Sequence, residues 1–126
     1  DLFLDKKTKQ RLKPIMGFHN LVTGDVKSDG SELVVLEHGK HFHVISLETF
    51  EVVKKVLLPR SYMATDVYCT YSDDGSILTV PVSKYDYDKR QYVYLRCEYE
   101  TKDYTLVSKT EITREEVDHW TDSKED

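Results

Sequence analysis

The chain has 126 residues, 39% of them hydrophobic and 33% charged, with a formal net charge of −5. That is one domain's worth of chain, long enough to bury a core without help from metals or disulfides, and the composition fits a soluble globular protein rather than a disordered one. The acidic balance argues against nucleic-acid binding, which needs a basic surface to displace counterions. No apolar run nears the roughly 18 to 20 residues that cross a bilayer.

The chain opens on Asp1 rather than methionine and lacks a charged-then-apolar leader, so it reads as a processed chain or an excised piece. Nine tyrosines and many β-branched residues favour strands over helices. Leu2-Phe3-Leu4 and Arg11-Leu12-Lys13-Pro14-Ile15 read as two strands around a polar turn. Their basic cluster (Lys6, Lys7, Lys9, Arg11, Lys13) either blunts an exposed edge or meets an acidic partner. Residues 16–24, with two glycines and an asparagine, look like a connection.

Ser28-Asp29-Gly30-Ser31 is a hairpin turn, because Asp-Gly between apolar runs lets glycine take a positive φ at no steric cost. Leu33-Val34-Val35-Leu36 has no polar alternation, the mark of a strand covered on both faces. After the turn Glu37-His38-Gly39-Lys40, the next strand covers 42–47. Glu48-Thr49-Phe50-Glu51 turns again, and 52–58 forms a fourth strand that Pro59 stops.

The plan then repeats. A strand over 65–71 leads to the turn Asp73-Asp74-Gly75-Ser76 and a strand over 77–82, where Pro81 removes a ladder donor and predicts an edge or a bulge. An expanded hairpin follows over 85–95, its strand continuing to Tyr99. Glu100-Thr101-Lys102-Asp103 corresponds to Glu48-Thr49-Phe50-Glu51, and 104–109 is the last clear strand. Thr113-Arg114-Glu115-Glu116 has capping-box spacing and, with Val117 and Trp120, predicts one helical turn. Residues 121–126 are polar and fray.

The echo is detailed. Ser28-Asp29-Gly30-Ser31-Glu32-Leu33-Val34-Val35 returns as Asp73-Asp74-Gly75-Ser76-Ile77-Leu78-Thr79-Val80, with Asp-Gly-Ser, Leu and Val in register at a spacing of 45 residues (Gly30 to Gly75). Ile45-Ser46-Leu47-Glu48-Thr49 matches Cys97-Glu98-Tyr99-Glu100-Thr101, and Val53-Lys54-Lys55-Val56 matches Val107-Ser108-Lys109-Thr110. Two such units of four short strands resemble blades of a β-propeller, of the TolB-like and YVTN types. The opening segment looks like the end of a preceding blade, which makes about two and a half blades. The implied fold is all-β, with antiparallel four-stranded blades over 25–58 and 65–110, the blade remnant over 1–16, and a polar segment over 113–126. A small β-sandwich is the alternative.

A four-stranded sheet cannot bury both faces alone, so stacked neighbours complete the core. Closed propellers have 4 to 8 blades. The expectation is therefore a segment of a longer propeller, or self-association through exposed sheet faces. The strand order also separates Cys69, on the first strand of its unit, from Cys97 on the third. At a strand spacing of roughly 4.8 Å they lie about 9 to 10 Å apart, beyond disulfide reach, and free thiols on apolar faces are predicted.

Tyr85, Tyr87, Tyr92 and Tyr94 form an aromatic ladder if 88–91 is the hairpin loop, with Tyr87 opposite Tyr92 and Tyr85 opposite Tyr94. Large apolar area with a polar tip suits recognition of protein or carbohydrate, although cross-strand pairing also stabilises a long hairpin. His41 and His43, on one side of a strand, are the metal candidates; against this, His43 shares its face with Ile45 and Leu47 as a core histidine would. The aspartates at 29, 73, 74, 86 and 88 lack the terminal glutamate of a calcium loop and are explained by turn formation. The serine-hydrolase, phosphate-loop, zinc-protease and Cys-x-x-Cys motifs are absent, and no cofactor is implied. The expected function is a non-catalytic scaffold or binding module for a protein partner or small ligand, with neither nucleic acid nor membrane involved. The alternative is part of a propeller enzyme, a hydrolase or lyase on peptide or sugar, with its remaining site residues outside this chain.

Overall fold

The structure is a computed structural model that describes residues 21–37, 39–65 and 69–118. The first sheet is a meander of β1 (Leu21–Val26), β2 (Glu32–Glu37), β3 (His41–Ser46) and β4 (Val52–Leu57), antiparallel throughout and in that spatial order. In the second, β7 (Ile77–Asp86), β8 (Gln91–Glu100) and β9 (Thr105–Ile112) repeat the meander, while two short strands, β5 (Met63–Ala64) and β6 (Thr70–Tyr71), share the inner edge of β7. A short helix, α1 (Arg114–Asp118), follows. The chain passes from β4, the outermost strand of the first sheet, to the innermost strands of the second. The inner strands meet, with the Tyr71 backbone N–H donating to Asp25 Oδ2 at 2.9 Å. Outer-to-inner passage between equivalent meanders is the connectivity of successive propeller blades; the fold is all-β, and the described residues form two such blades.

The core lies between the blades. Val34 and Leu36 of β2 and Phe42 and Val44 of β3 pack with Leu78, Val80 and Val82 of β7 and with Cys97 and Tyr99 of β8. The period-2 spacing of each set places it on one face of its strand. Phe42 sits edge-on to Tyr99 (centroids 5.0 Å, 81°) and to Tyr104 (6.2 Å, 66°). Fully burying a side chain of this size stabilises by about 1.5–3 kcal/mol, so neither blade holds its core alone. Leu33, Val35 and Ile45, on the opposite face of the first blade, are also fully buried, as an unalternated apolar run predicts. The second blade differs: its opposite face carries Thr79, Arg96, Glu98, Thr110 and Ser108 in register. Exposed apolar side chains sit mainly on edge strands (Val53, Leu57, Met63, Val107) and on the β7–β8 hairpin, not across that sheet face.

The repeated turn is the same device twice. Asp29 Oδ1 accepts from the Ser31 backbone N–H (2.9 Å) and hydroxyl (2.6 Å). Asp74 Oδ1 accepts from the same two groups of Ser76 (2.9 and 2.7 Å) and also from the Ser72 hydroxyl (2.8 Å). Gly30 and Gly75 both have φ of 76°, the left-handed region that glycine enters without a Cβ clash. Each turn is tied to the end of its own third strand, Leu47 N–H donating to Ser31 O and Thr101 N–H to Ser76 O. These bonds hold both Asp carboxyls below the usual range, Asp74 at about 2, with the serine hydrogen bonds as the leading cause.

Several expectations are corrected. Residues 21–24, read as a connection, are strand: Gly24 lies opposite Val35, with a bulge between Leu21 and Thr23, so this glycine marks an irregular strand rather than a loop. The strand predicted over 65–71 is replaced, among the described residues, by the separate pieces β5 and β6. Pro81 faces the break between them: its carbonyl accepts from Thr65 Oγ1 at 3.5 Å, and its missing N–H falls on that same side. The third strands align two residues away from the match drawn above. Glu32 lies opposite Ser46 and Ile77 opposite Glu100, so Ser46 corresponds to Glu100 and Phe50 to Tyr104. A shift of two keeps every side chain on its face, which is why the apolar pattern hid it. Phe50 and Tyr104 both adopt positive φ (59° and 54°) before the fourth strand, a repeat that comparison of residue types missed.

Cys69 and Cys97 are both buried and are not joined in a disulfide. Cys97 pairs with Val80 on β7, while β6 lies across β7's other edge, so a strand separates the cysteines as predicted. Burial pushes the Cys97 thiol up to about 11. The capping box also forms: the Glu116 N–H donates to Thr113 Oγ1 (3.1 Å), and the Thr113 N–H reaches Glu116 Oε1 (3.4 Å). The predicted strands before residue 21, together with His38, Val67, Trp120 and 121–126, lie outside the described residues.

Candidate functional site: the tyrosine hairpin

β2 and β3 are six residues each, whereas β7 and β8 are ten. The second blade's central hairpin therefore runs past β5, which stops opposite Ser83, and past β9, which stops opposite Tyr94. Residues 84–93 project beyond both neighbours. The loop is 87–90, not 88–91: Asp86 lies opposite Gln91, and Asp86 Oδ1 accepts from the backbone N–H of Asp88 (3.0 Å) and of Lys89 (3.1 Å). This aspartate-driven turn outcompetes the tyrosine pairing assumed from sequence. Arg90 closes the loop at a φ of 54°.

The corrected register still gathers the four tyrosines. Tyr85 lies opposite Tyr92, and Ser83, not Tyr85, lies opposite Tyr94. The rings form a continuous row: Tyr87 to Tyr85 at 4.9 Å and 73°, Tyr85 to Tyr92 at 5.2 Å and 80°, Tyr92 to Tyr94 at 6.4 Å and 31°. Tyr85, Tyr87 and Tyr92 are 39%, 82% and 56% exposed. Strand parity sets Tyr85, Tyr92 and Tyr94 on the face of the second blade turned away from the first, in line with Thr79 and Arg96. Arg114 of α1 anchors the inner end of the row: its guanidinium donates to the Tyr94 hydroxyl at 3.0 Å and lies 5.9 Å from that ring's centroid, and its Nε donates to Asp118 at 2.9 Å.

The Tyr85–Tyr92 pair forms a ridge with an open hollow on each side. The hollow toward β5, of about 870 Å³, is lined by Met63, Lys84, Tyr87, Asp86 and Asp88 as well as the pair. The hollow toward α1, of about 790 Å³, adds Arg90, Tyr94, Glu111 and Arg114. Met63 and Arg114 could not be assigned to this site from sequence, because β5 and α1 reach it only through the tertiary fold. The Lys84 ammonium lies 5.0 Å from the Tyr62 ring centroid.

No protein-family model and no curated protein matches the chain. Among solved structures it is similar to U3-55K (TM-score 0.44, 10% identity, covering 75% of this chain and 40% of that one). It is also similar to the RRP9 WD40 repeats (0.40, 10%, 71% and 38%) and to the β-propeller domain of Myceliophteria thermophila Cps50 (Swd1) (0.44, 9%, 85% and 46%). The chain spans less than half the length of each. The two blades stand on strand order and shared core, not on these likenesses.

The metal candidates lie elsewhere. His41 and His43 are on β3, opposite Leu57 and Lys55 of β4, and His43 shares the Val35 and Ile45 face. Among the described residues no three His, Cys, Asp or Glu side chains are grouped to hold a metal ion. A second polar constellation joins the blades. The Tyr104 hydroxyl donates to Glu32 Oε1 (2.7 Å), so its contact with the Tyr71 hydroxyl (2.9 Å) uses the Tyr71 proton. Burial is the leading cause that raises both phenols well above the ordinary tyrosine value; in Tyr104 the hydrogen bonds with Tyr71 and Glu32 add to it, and in Tyr71 the Glu32 charge does. This relay spans the seam between blades and was invisible in the sequence, where Glu32 and Tyr104 are far apart.

Proposed function

We propose that the chain is a non-catalytic binding module in which two propeller blades hold a tyrosine hairpin clear of the sheet for a protein partner. The observation that carries this is the hairpin's extension past both neighbouring strands, with its added residues presenting tyrosines in ring-to-ring contact at 39–82% exposure. Cross-strand stabilisation alone would leave Tyr87 unexplained, since it sits in the loop opposite no strand residue. Tyrosine gives large contact area with few rotatable bonds, so little entropy is lost on binding. The turn bonds of Asp86 and the Arg114 anchor hold the row before any partner arrives, which lowers the ordering cost.

The test is affinity capture with the full chain, the triple variant Tyr85→Ser/Tyr87→Ser/Tyr92→Ser, and a control carrying Val53→Ser and Leu57→Ser on the β4 edge. Partners held by the native chain and the control but lost by the tyrosine variant support the module. Partners retained by the tyrosine variant remove the hairpin as the site.

A further inference from the structure

The chemistry of the occupant can be taken further, resting on the binding reading above. A pyranose presents one flat C–H face and stacks on one aromatic face, so an oligosaccharide is best met by rings that share a plane. Here Tyr85 stands nearly perpendicular to both Tyr87 (73°) and Tyr92 (80°), and that part of the row offers slots between rings instead of a platform. Slots between aromatic rings fit the ridged surface of a polyproline II helix, whose conformation is set before binding. That helix makes no internal hydrogen bonds, so its carbonyls stay free to accept from tyrosine hydroxyls and the Gln91 amide. At roughly 3.1 Å per residue, a segment of about six residues reaches along the whole row.

Charge adds a direction. The hollow toward β5 is bordered by Asp86 and Asp88, and among the described residues no Lys or Arg lies in a salt bridge with either. Lys84 lines this hollow too, but its ammonium lies 5.0 Å from the Tyr62 ring centroid, and neither it nor Lys89 of the loop forms an ion pair with the two carboxylates among the described residues. The hollow toward α1 carries Arg90 and Arg114 beside a single carboxylate, Glu111. We propose that the tyrosine row of the β7–β8 hairpin binds an extended, proline-rich segment of a protein partner, with a basic side chain of that segment seated against Asp86 and Asp88.

Fluorescence polarisation with the full chain tests this against three labelled peptides of about ten residues: a proline-rich one with a single terminal arginine, the same with glutamate for arginine, and one keeping the arginine with serine for every proline. A labelled cello-oligosaccharide is the fourth probe. The arginine–proline peptide should bind saturably, the glutamate peptide at least about fivefold more weakly, and the serine peptide not measurably. Tyr92→Ala should weaken the first at least about tenfold, and Asp86→Asn/Asp88→Asn should bring it to the level of the glutamate peptide. Equal binding of the proline and serine peptides, no binding of either, or binding unmoved by Tyr92→Ala overturns the inference. Should the oligosaccharide bind instead and be lost in Tyr92→Ala, the proline inference falls while the hairpin stands as a site. Retention of captured partners by the triple tyrosine variant is the separate result that removes the site itself. Because Tyr87 is 82% exposed, Tyr87→Ala serves as the second variant, and its unchanged circular dichroism with about a tenfold loss of the first peptide supports the proposal.

Discussion

The two blades start from one turn and diverge after it. In the first, the central strands are six residues each and carry fully buried apolar side chains on both faces. In the second, the hairpin runs four residues further on each strand, the inner strand is split into β5 and β6, and the face turned away from the core is polar up to the tyrosines. One blade is mostly structure; the other supplies half of the same core and also carries the exposed surface. An extension of a hairpin costs a packed sheet little, because added residues continue an existing ladder and disturb no core contact.

The shared core gives the largest predicted effect. Phe42→Ala removes the first blade's contact with Tyr99 and Tyr104 and should cost about 3–5 kcal/mol. Urea denaturation followed by fluorescence and by circular dichroism should shift as one transition. Two separated transitions would mean that the blades are stabilised independently.

Next come two tyrosines of the second blade. Tyr104→Phe breaks the relay to Glu32 and should cost about 2 kcal/mol. The buried Tyr99 hydroxyl has no hydrogen-bond partner among the described residues, so Tyr99→Phe should be neutral or slightly stabilising. Equal losses in the two variants would contradict this assignment of the inter-blade bond.

The turn glycines compare the blades at one atom. Gly30→Ala and Gly75→Ala each force an alanine to φ of 76°, at about 1–2 kcal/mol. A Cβ at Gly30 meets nothing within 4 Å, whereas one at Gly75 meets Lys27 Cε and Cγ at 3.2 Å. Lys27 is a flexible side chain, so Gly75→Ala should be worse only by a small margin, read as a lower Tm than that of Gly30→Ala.

Acid gives the finest comparison. Because the folded state lowers the Asp74 pKa from 3.8 to about 2, its contribution is fully present above pH 3.8 and is lost as pH falls through 2. Asp29 is lowered for the same reason with one fewer serine hydroxyl. Denaturation midpoints between pH 5 and 2 should therefore fall more steeply for the native chain than for Asp74→Asn. Asp29→Asn should flatten the curve less.

Much of this was legible because it is local. An Asp-Gly-Ser turn needs only its own four residues to form, and Leu33-Val34-Val35-Leu36 announces two buried faces by lacking polar alternation. The strand order that separates Cys69 from Cys97 followed from counting turns. The third-strand alignment failed because a two-residue slip leaves the face pattern intact, and the tyrosine register failed because Asp86 fixes the loop by side-chain bonds that periodicity does not record. Gly24 was read as a breaker although it lies within a paired strand.

What the sequence determined by itself was the repeat, the all-β class and the presence of a tyrosine-rich hairpin, since turn chemistry and side-chain parity act over a few residues. Only the tertiary structure decided which residues meet across the blades and around the tyrosines. Phe42 finds Tyr99, Glu32 finds Tyr104, and Met63 and Arg114 come to opposite sides of one aromatic ridge. Those meetings depend on how two sheets stack and where their neighbouring strands stop, which no short window of residues contains.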